Sequence, residues 1–272
     1  MTNILVDKLT ITSCLAANTH AGGRAVAGYI SQQLGIDAEF AVDIPWQERE
    51  RLLANGQIQL GWICGLLYVG KANQPDPQLE LLAAPVLPDP RYQGQPVYYS
   101  DIVVRQDSPY RSFTDLRETR WVYNEPGSYS GYYTMCHHLV QQEESLNFFE
   151  EVLESGAHVN SLQMVVDGAA DVTAIDSTLL DYEFVRQPAL AQQLRVIESL
   201  GPSPIPPWVI SRQLPRDLRR VLRQLLLDIH LDSRGKTALA SGQLSRFVAA
   251  ADADYQMIRD VSLSARLVAH QA

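Results

Sequence analysis

The run Asn124-Glu-Pro-Gly-Ser-Tyr-Ser-Gly-Tyr-Tyr133 sets two serine hydroxyls, Ser128 and Ser130, at a junction. Before it lies an apolar, strand-like piece, Trp121-Val-Tyr123, and after it a helical pattern runs from Tyr132 to Gln142. Pro126 and Gly127 mark a turn between them. A helix start leaves its first amides unpaired and carries partial positive charge, so it attracts an anion. Small hydroxyl residues there suit a phosphate-like or carboxylate-like ligand. The same serines could serve only as helix caps, and the residues alone leave both readings open.

Other reactive residue types form no constellation. Cys14, Cys64 and Cys136 are an odd set without metal-ligand spacing, which argues against a disulfide framework. His137 and His138 follow Cys136, but adjacent helical residues do not share a face, so the trio is a poor chelate and no metal is expected. Gly22-Gly23 lacks the context of a dinucleotide fingerprint, and no triad-like arrangement of nucleophile and base is visible. The expectation is a binding protein with no cofactor and no catalytic residues.

The elements that must carry the serine loop alternate. Strand patterns at 9–13, 38–44, 58–63 and 79–86 are separated by helical patterns at 22–34, 47–54 and 66–72. The middle repeats this, with strands at 99–105, 121–123, 172–175 and 194–198, and helical patterns at 131–142, 148–153 and 161–167. Such alternation predicts an α/β chain with largely parallel sheets covered on both faces. The run Gly201-Pro-Ser-Pro-Ile-Pro-Pro207 is the densest in proline and reads as a stiff connector. A strand at 208–211, a long amphipathic helix to about 230, and helices at 236–244 and 251–260 follow.

The chain has 272 residues, enough for one large domain or two ordinary ones. Crossings near 98–105 and at the proline run predict two lobes: 1–102 as the first part of one, 103–203 as the lobe with the serine loop, and 204–272 as the return to the first. Loops after strands, at 13–20, 63–67, 124–131 and 176–177, would face a ligand cleft.

The formal net charge of −9 and only three lysines argue against a nucleic-acid surface. The arginines near 217–223 read as a solvated helix face. No apolar run approaches the ~18 residues needed to span a bilayer, so no membrane insertion is expected. The opening Met1–Thr10 segment has no basic start followed by an apolar core, so it does not read as a signal peptide.

Several phrases, in order, resemble the phosphate, phosphite and phosphonate binding proteins of ABC uptake systems. They are Leu53-Ala-Asn-Gly-Gln-Ile-Gln-Leu-Gly-Trp-Ile63, Tyr98-Tyr-Ser-Asp-Ile-Val-Val-Arg105 with Phe113-Thr-Asp-Leu-Arg117, and Pro126-Gly-Ser-Tyr-Ser-Gly-Tyr132. Ser155-Gly-Ala-His158, Gly168-Ala-Ala-Asp-Val-Thr-Ala-Ile-Asp-Ser177 and Pro204-Ile-Pro-Pro-Trp-Val-Ile-Ser211 continue the series, which covers roughly residues 9–262.

The resemblance implies a two-lobed periplasmic-binding-protein-like fold with a ligand cleft between lobes. It implies a small anionic solute, an ABC permease as partner, a monomer, and a periplasmic location if a signal peptide has been removed, cytoplasmic otherwise. By resemblance, Ser128 and Ser130 hold the anionic oxygens, Tyr98 offers a phenol, His158 donates or accepts, and Asp176 accepts from a protonated oxygen or an amine. Neutral donors can hold a charged ligand without burying a matching charge.

Besides Trp62-Ile-Cys-Gly65 in place of the family's Trp-Leu-Gly-Pro, two departures stand out: Trp46 replaces the family's tyrosine, and Tyr129 replaces the threonine in the middle of the serine loop. Both rings are expected to line the cleft and favour a larger or more apolar anion. An enzyme of cofactor biosynthesis, or a cytoplasmic sensor lobe, on the same scaffold are the alternative readings, since fold does not decide function.

Overall fold

The computed structural model describes residues 6–269; residues 1–5 of the opening segment read for a signal peptide lie outside them. The chain divides into two compact units. One holds the residues up to Val97 together with Pro204–Tyr255, and the other holds Tyr98–Ser203 with the residues from Gln256 onward.

The first unit begins β1 (Lys8–Ser13), α1 (His20–Leu34), β2 (Asp37–Ala41), α2 (Trp46–Ala54), β3 (Leu60–Trp62), α3 (Gly65–Ala72) and β4 (Leu79–Val86). The second unit runs β5 (Val97–Arg105), β6 (Arg120–Tyr123), α4 (Thr134–Gln141), β7 (Glu151–Glu154), α5 (His158–Val166), β8 (Val172–Asp176), α6 (Ser177–Arg186), α7 (Pro188–Gln193) and β9 (Leu194–Pro204). The chain then returns through β10 (Trp208–Ser211), α8 (Arg216–Asp228), α9 (Ser233–Ser241) and β11 (Arg246–Val248), and ends in α10 (Gln256–Ala269).

The first unit is built on a six-stranded sheet, in the order β11-β4-β10-β3-β1-β2. β1 pairs in parallel with β2 and β3, while β10 runs antiparallel to both β3 and β4. Its core is aromatic where the return strand enters: Trp62 and Trp208 stand 5.8 Å apart, and Trp62 Nε1 donates to the Pro206 carbonyl at 2.9 Å. Helix α8 buries Leu218, Leu222 and Leu226, spaced four apart on one stripe.

Arg219 of that helix pairs with Glu80, and Arg223 donates to the Leu81 carbonyl, so part of the arginine face read as solvated ties α8 to β4. Gln57, Asn55 and Gln213 are polar neighbours at the α2–β3 turn, and Gln213 Nε2 donates to the Asn55 carbonyl at 3.1 Å.

α1 and α9 meet where both chains are bare. A Cβ on Gly22 would lie 2.6 Å from the Gly242 Cα, and one on Gly242 would lie 2.9 Å from the Gly22 Cα. Backbone atoms cannot swing away as a side-chain tip can. Gly22→Ala is therefore expected to destabilise this unit by about 1–3 kcal/mol of overpacking, outweighing a helix-propensity gain of at most about 1 kcal/mol. Chemical denaturation measures it, and a variant at least as stable as the parent would show that the helices can separate freely.

The second unit has a five-stranded sheet, ordered β7-β6-β8-β5-β9. Alternate residues serve opposite faces. Ile102, Val104, Trp121, Val172 and Ala174 pack with Met135, Cys136 and Leu139 of α4 and Ala265 of α10. Val103, Val122 and Ile175 pack with Leu162 and Val165 of α5 and Leu180 of α6. Both faces are thus covered, as near-continuous apolar strands require.

Four expectations change. The sheets are mixed, not largely parallel, because β10 pairs antiparallel with β3 and β4, and β5 antiparallel with β8. The apolar segment 148–153 is not a helix; a short 3-10 turn at Leu146–Phe148 leads into β7, which pairs in parallel with β6. The proline run is not wholly a connector, since β9 extends through Gly201 to Pro204 as the sheet's last strand, where a missing N–H is tolerated. Finally, α10 is grouped by sequence with the first lobe but packs in the second unit, where Ala265 joins the core under α4.

Candidate functional site

The serine loop sits in the second unit between β6 and α4. Residues Tyr129–Tyr133 form a single π-helical turn that runs directly into α4. The Ser128 carbonyl accepts from the amides of both Tyr132 (3.2 Å) and Tyr133 (3.1 Å), which widens the turn by one residue. Such π turns are rare and often mark functional sites.

Ser128 is the N-cap: its Oγ accepts from the Gly131 amide at 3.0 Å. Ser130 has a different job. Its carbonyl accepts from Ser100 Oγ and from Thr134 Oγ1 (2.9 Å), and its own Oγ lies 3.5 Å from His158 Nε2. The two serines, alike in sequence, thus differ: one caps the turn and the other faces His158. Both are buried, Ser128 at 7 % exposure and Ser130 at 5 %. Ser128→Ala is accordingly expected to lower stability by about 1 kcal/mol, the usual worth of a cap, which thermal unfolding would register; an unchanged midpoint would remove Ser128 from the cap.

His158 opens α5. It is half-buried, but its Nδ1 is sealed from solvent without a partner. Burial pushes its pKa down to about 4, so the ring is neutral near pH 7 and can either donate to or accept from Ser130. Asn124 closes the loop from behind β6, with its Oδ1 buried and unpartnered. A Cβ on Gly131 would lie 1.9 Å from that oxygen and 3.0 Å from His158 Cε1, so only glycine lets these three residues meet.

Asp176 ends β8, paired in register with Ser100 of β5. It caps α6, accepting from the amides of Thr178 (2.8 Å) and Leu179 (3.4 Å). Burial, and to a lesser degree the charge of Asp101, push its carboxyl up to about 6, against the opposing pull of its amide partners. A carboxyl titrating there can hold a proton close to neutral pH.

Tyr98 is two residues before Ser100 on β5 and therefore shares its face, with 2 % of its surface exposed. Tyr129 is 1 % exposed, and its hydroxyl lies 3.2 Å from Ser203 Oγ, so its ring is packed inside the unit rather than open to solvent. The second unit therefore holds six of the expected residues: Ser128, Tyr129, Ser130, Tyr98, His158 and Asp176. Trp46 belongs to the first unit, half-buried at the first position of α2.

Sequence reasoning did not single out Ser100, Ser203, Asn124 or Gly131. Only the alternation of Tyr98 and Ser100 on one strand face offered a signal for Ser100. Among the described residues, no group of three His, Cys, Asp or Glu side chains could hold a metal ion, and no helix is long and apolar enough to cross a membrane.

The family model for the periplasmic substrate-binding protein of phosphonate ABC transporters matches residues 11–255. The chain belongs to this phosphonate-binding family. The phosphonate-binding fold is also shared with solved structures. A binding protein component of an ABC phosphonate transporter from Pseudomonas aeruginosa superposes with a TM-score of 0.81, at 20 % identity, over 95 % of this chain and 86 % of that one. A Prochlorococcus marinus protein in complex with methylphosphonate gives 0.80, at 18 % identity, over 94 % and 97 %. A Xanthomonas citri protein bound to ATP gives 0.74, at 16 % identity, over 97 % and 98 %. Like these, the chain has a two-lobed α/β periplasmic-binding-protein fold, and its family is a substrate-binding component of transport systems.

Proposed function

We propose that this protein captures a small phosphonate-type oxyanion in the periplasm, as a monomer, and hands it unchanged to an ABC permease. The observation that carries the reading is the π turn at Tyr129–Tyr133, capped by Ser128, with Ser130 Oγ set 3.5 Å from a neutral His158. Neutral hydroxyl, imidazole and amide donors hold an oxyanion without a buried counter-charge, which favours release as well as capture. Asp176, with its carboxyl poised near pH 6, takes the role of reading a proton on the ligand. Tyr98 contributes a phenol donor on the Ser100 side of β5. Methylphosphonate bound to the Prochlorococcus protein supports the ligand class.

Calorimetric titration with methylphosphonate, phosphite, phosphate and an aromatic carboxylate tests this. Binding of at least one phosphorus oxyanion is expected, and Ser130→Ala should weaken it by about 1.5–3 kcal/mol, the worth of one hydrogen bond to a charged group. Phosphorus NMR of the bound ligand should show it chemically unchanged on release. Absence of binding to all four, or conversion of the ligand, would reject the reading.

A further inference from the structure

Helix α2 reads Trp46-Gln-Glu-Arg-Glu-Arg-Leu-Leu-Ala54, with charges packed closely. Its other charged residues are matched: Glu48 with Arg51, and Glu50 with Lys71 at 2.7 Å. Arg49 is not. It is 6 % exposed, and its Nε and Nη1 are sealed from solvent with no acceptor. A guanidinium cannot shed its charge near neutral pH, and a buried charge without a counter-ion is strongly unfavourable.

Among the described residues no acidic side chain pairs with it, Glu50 being taken by Lys71. Arg49 acts electrostatically on Cys14, just past β1, and on His20, which opens α1. Burial drives the Cys14 thiol up to about 12, so it stays protonated and uncharged. His20 has its own Nε2 sealed and unpartnered, and burial with the charges of Arg49 and Arg24 holds its pKa down. No acidic residue occupies the first turn of α1, whose partial positive charge adds to that of Arg49. The loop between is firmly held: Ser13 Oγ and Thr19 Oγ1 are 2.7 Å apart, and the Cys14 amide donates to the Trp62 carbonyl at 3.0 Å. Arg49 on α2 and the half-buried His20 at the start of α1 both leave sealed nitrogens without a partner, which makes a site that lacks its anion.

We propose that Arg49, with His20 and the start of α1, is the cationic pole of an oxyanion-binding pocket in the first unit, taking a carboxylate or phosphate-type group. Arg49 is the fixed charge, and His20 is a neutral donor beside it. This pocket is distinct in residues and in unit from the Ser128–Ser130 loop, and it stands whether or not that loop binds phosphonates.

The test is titration of inorganic phosphate and of acetate, at constant ionic strength, into the parent protein, Arg49→Met, Arg49→Gln and Ser130→Ala. Arg49→Met should weaken binding of at least one of these anions roughly ten- to hundredfold. In anion-free buffer it should unfold at the same or a higher temperature, because an apolar side chain removes an uncompensated buried charge. Anion binding that is unchanged in Arg49→Met but lost in Ser130→Ala would overturn the proposal and leave the loop reading intact. The reverse pattern would support the proposal and sink the loop reading. A lower unfolding temperature with an unchanged anion response would make Arg49 a packing residue and overturn the proposal. Should Arg49→Met not fold, Arg49→Gln carries the same expectation. If neither folds, arginine Nε–Hε NMR signals of the parent decide: an exchange-protected signal must shift on adding phosphate or acetate, and none shifting overturns the proposal.

Discussion

Gly131→Ala is expected to abolish solute capture and to destabilise the second unit together. The new methyl would lie 1.9 Å from Asn124 Oδ1, 3.0 Å from Asn124 Cγ and 3.0 Å from His158 Cε1. Asn124 is 7 % exposed and its Oδ1 is already enclosed, so its amide cannot turn out to solvent. Overpacking of this kind costs about 1–3 kcal/mol, and the π turn that sets Ser130 against His158 would have to shift. A misplacement of the ligand oxygens by even an ångström removes most of the affinity that charge-assisted hydrogen bonds supply. Differential scanning calorimetry and ligand titration read the two effects. Adding Asn124→Ala should recover part of the stability by vacating the clash without restoring full binding. A Gly131→Ala protein that binds methylphosphonate as the parent does would mean that the turn plays no part in the site.

Asp176→Asn should make the protein more stable above pH 6 and flatten its stability profile below that. The sign follows from the direction of the shift. Burial raises the carboxyl from 3.8 to about 6 in the folded protein, so the folded state holds its proton longer than the unfolded chain. That contribution is fully present below about pH 4, is lost as pH rises through about 6, and amounts to about 3 kcal/mol at about 1.4 kcal/mol per pH unit. Asparagine caps α6 about as well as aspartate and never ionises. His158 acts in the opposite sense, since its pKa of about 4 favours the folded state as pH rises towards 6.5. The difference between parent and Asp176→Asn isolates Asp176 because His158 is common to both. Ligand affinity should lose its pH dependence near 6 in the same variant. Superimposable stability and binding profiles would exclude a raised carboxyl and a ligand role for Asp176 alike.

The strand patterns at 9–13 and 79–86 and the helical pattern at 22–34 were legible because each is a local run with one clear period. The failures share one cause. Segment 148–153, Phe-Phe-Glu-Glu-Val-Leu, repeats its apolar pair four residues on, a spacing that suits a helix; pairing with β6 decides for the strand. α10 has an apolar stripe that could cover either unit, and Ala265 packs into the second. The antiparallel pairing of β10 and β5 depends on where the chain re-enters a sheet, which no periodicity records.

The serine loop follows the same division. Its turn residues, its place before a helix and its ordered resemblance to a phosphonate-binding family are properties of the chain read in line. The sequence by itself therefore determined the alternating α/β elements, the family and the place of the serine loop ahead of a helix. The tertiary structure alone decided that Ser128 caps while Ser130 faces His158, that Asn124 leaves room only for Gly131, and that Tyr129 is enclosed against Ser203. It alone left Arg49 buried without a counter-ion among charged neighbours that all have one. Spacing along a chain sets which face a residue takes within its own element, but burial, hydrogen-bond partners and pKa arise from atoms that arrive from distant elements.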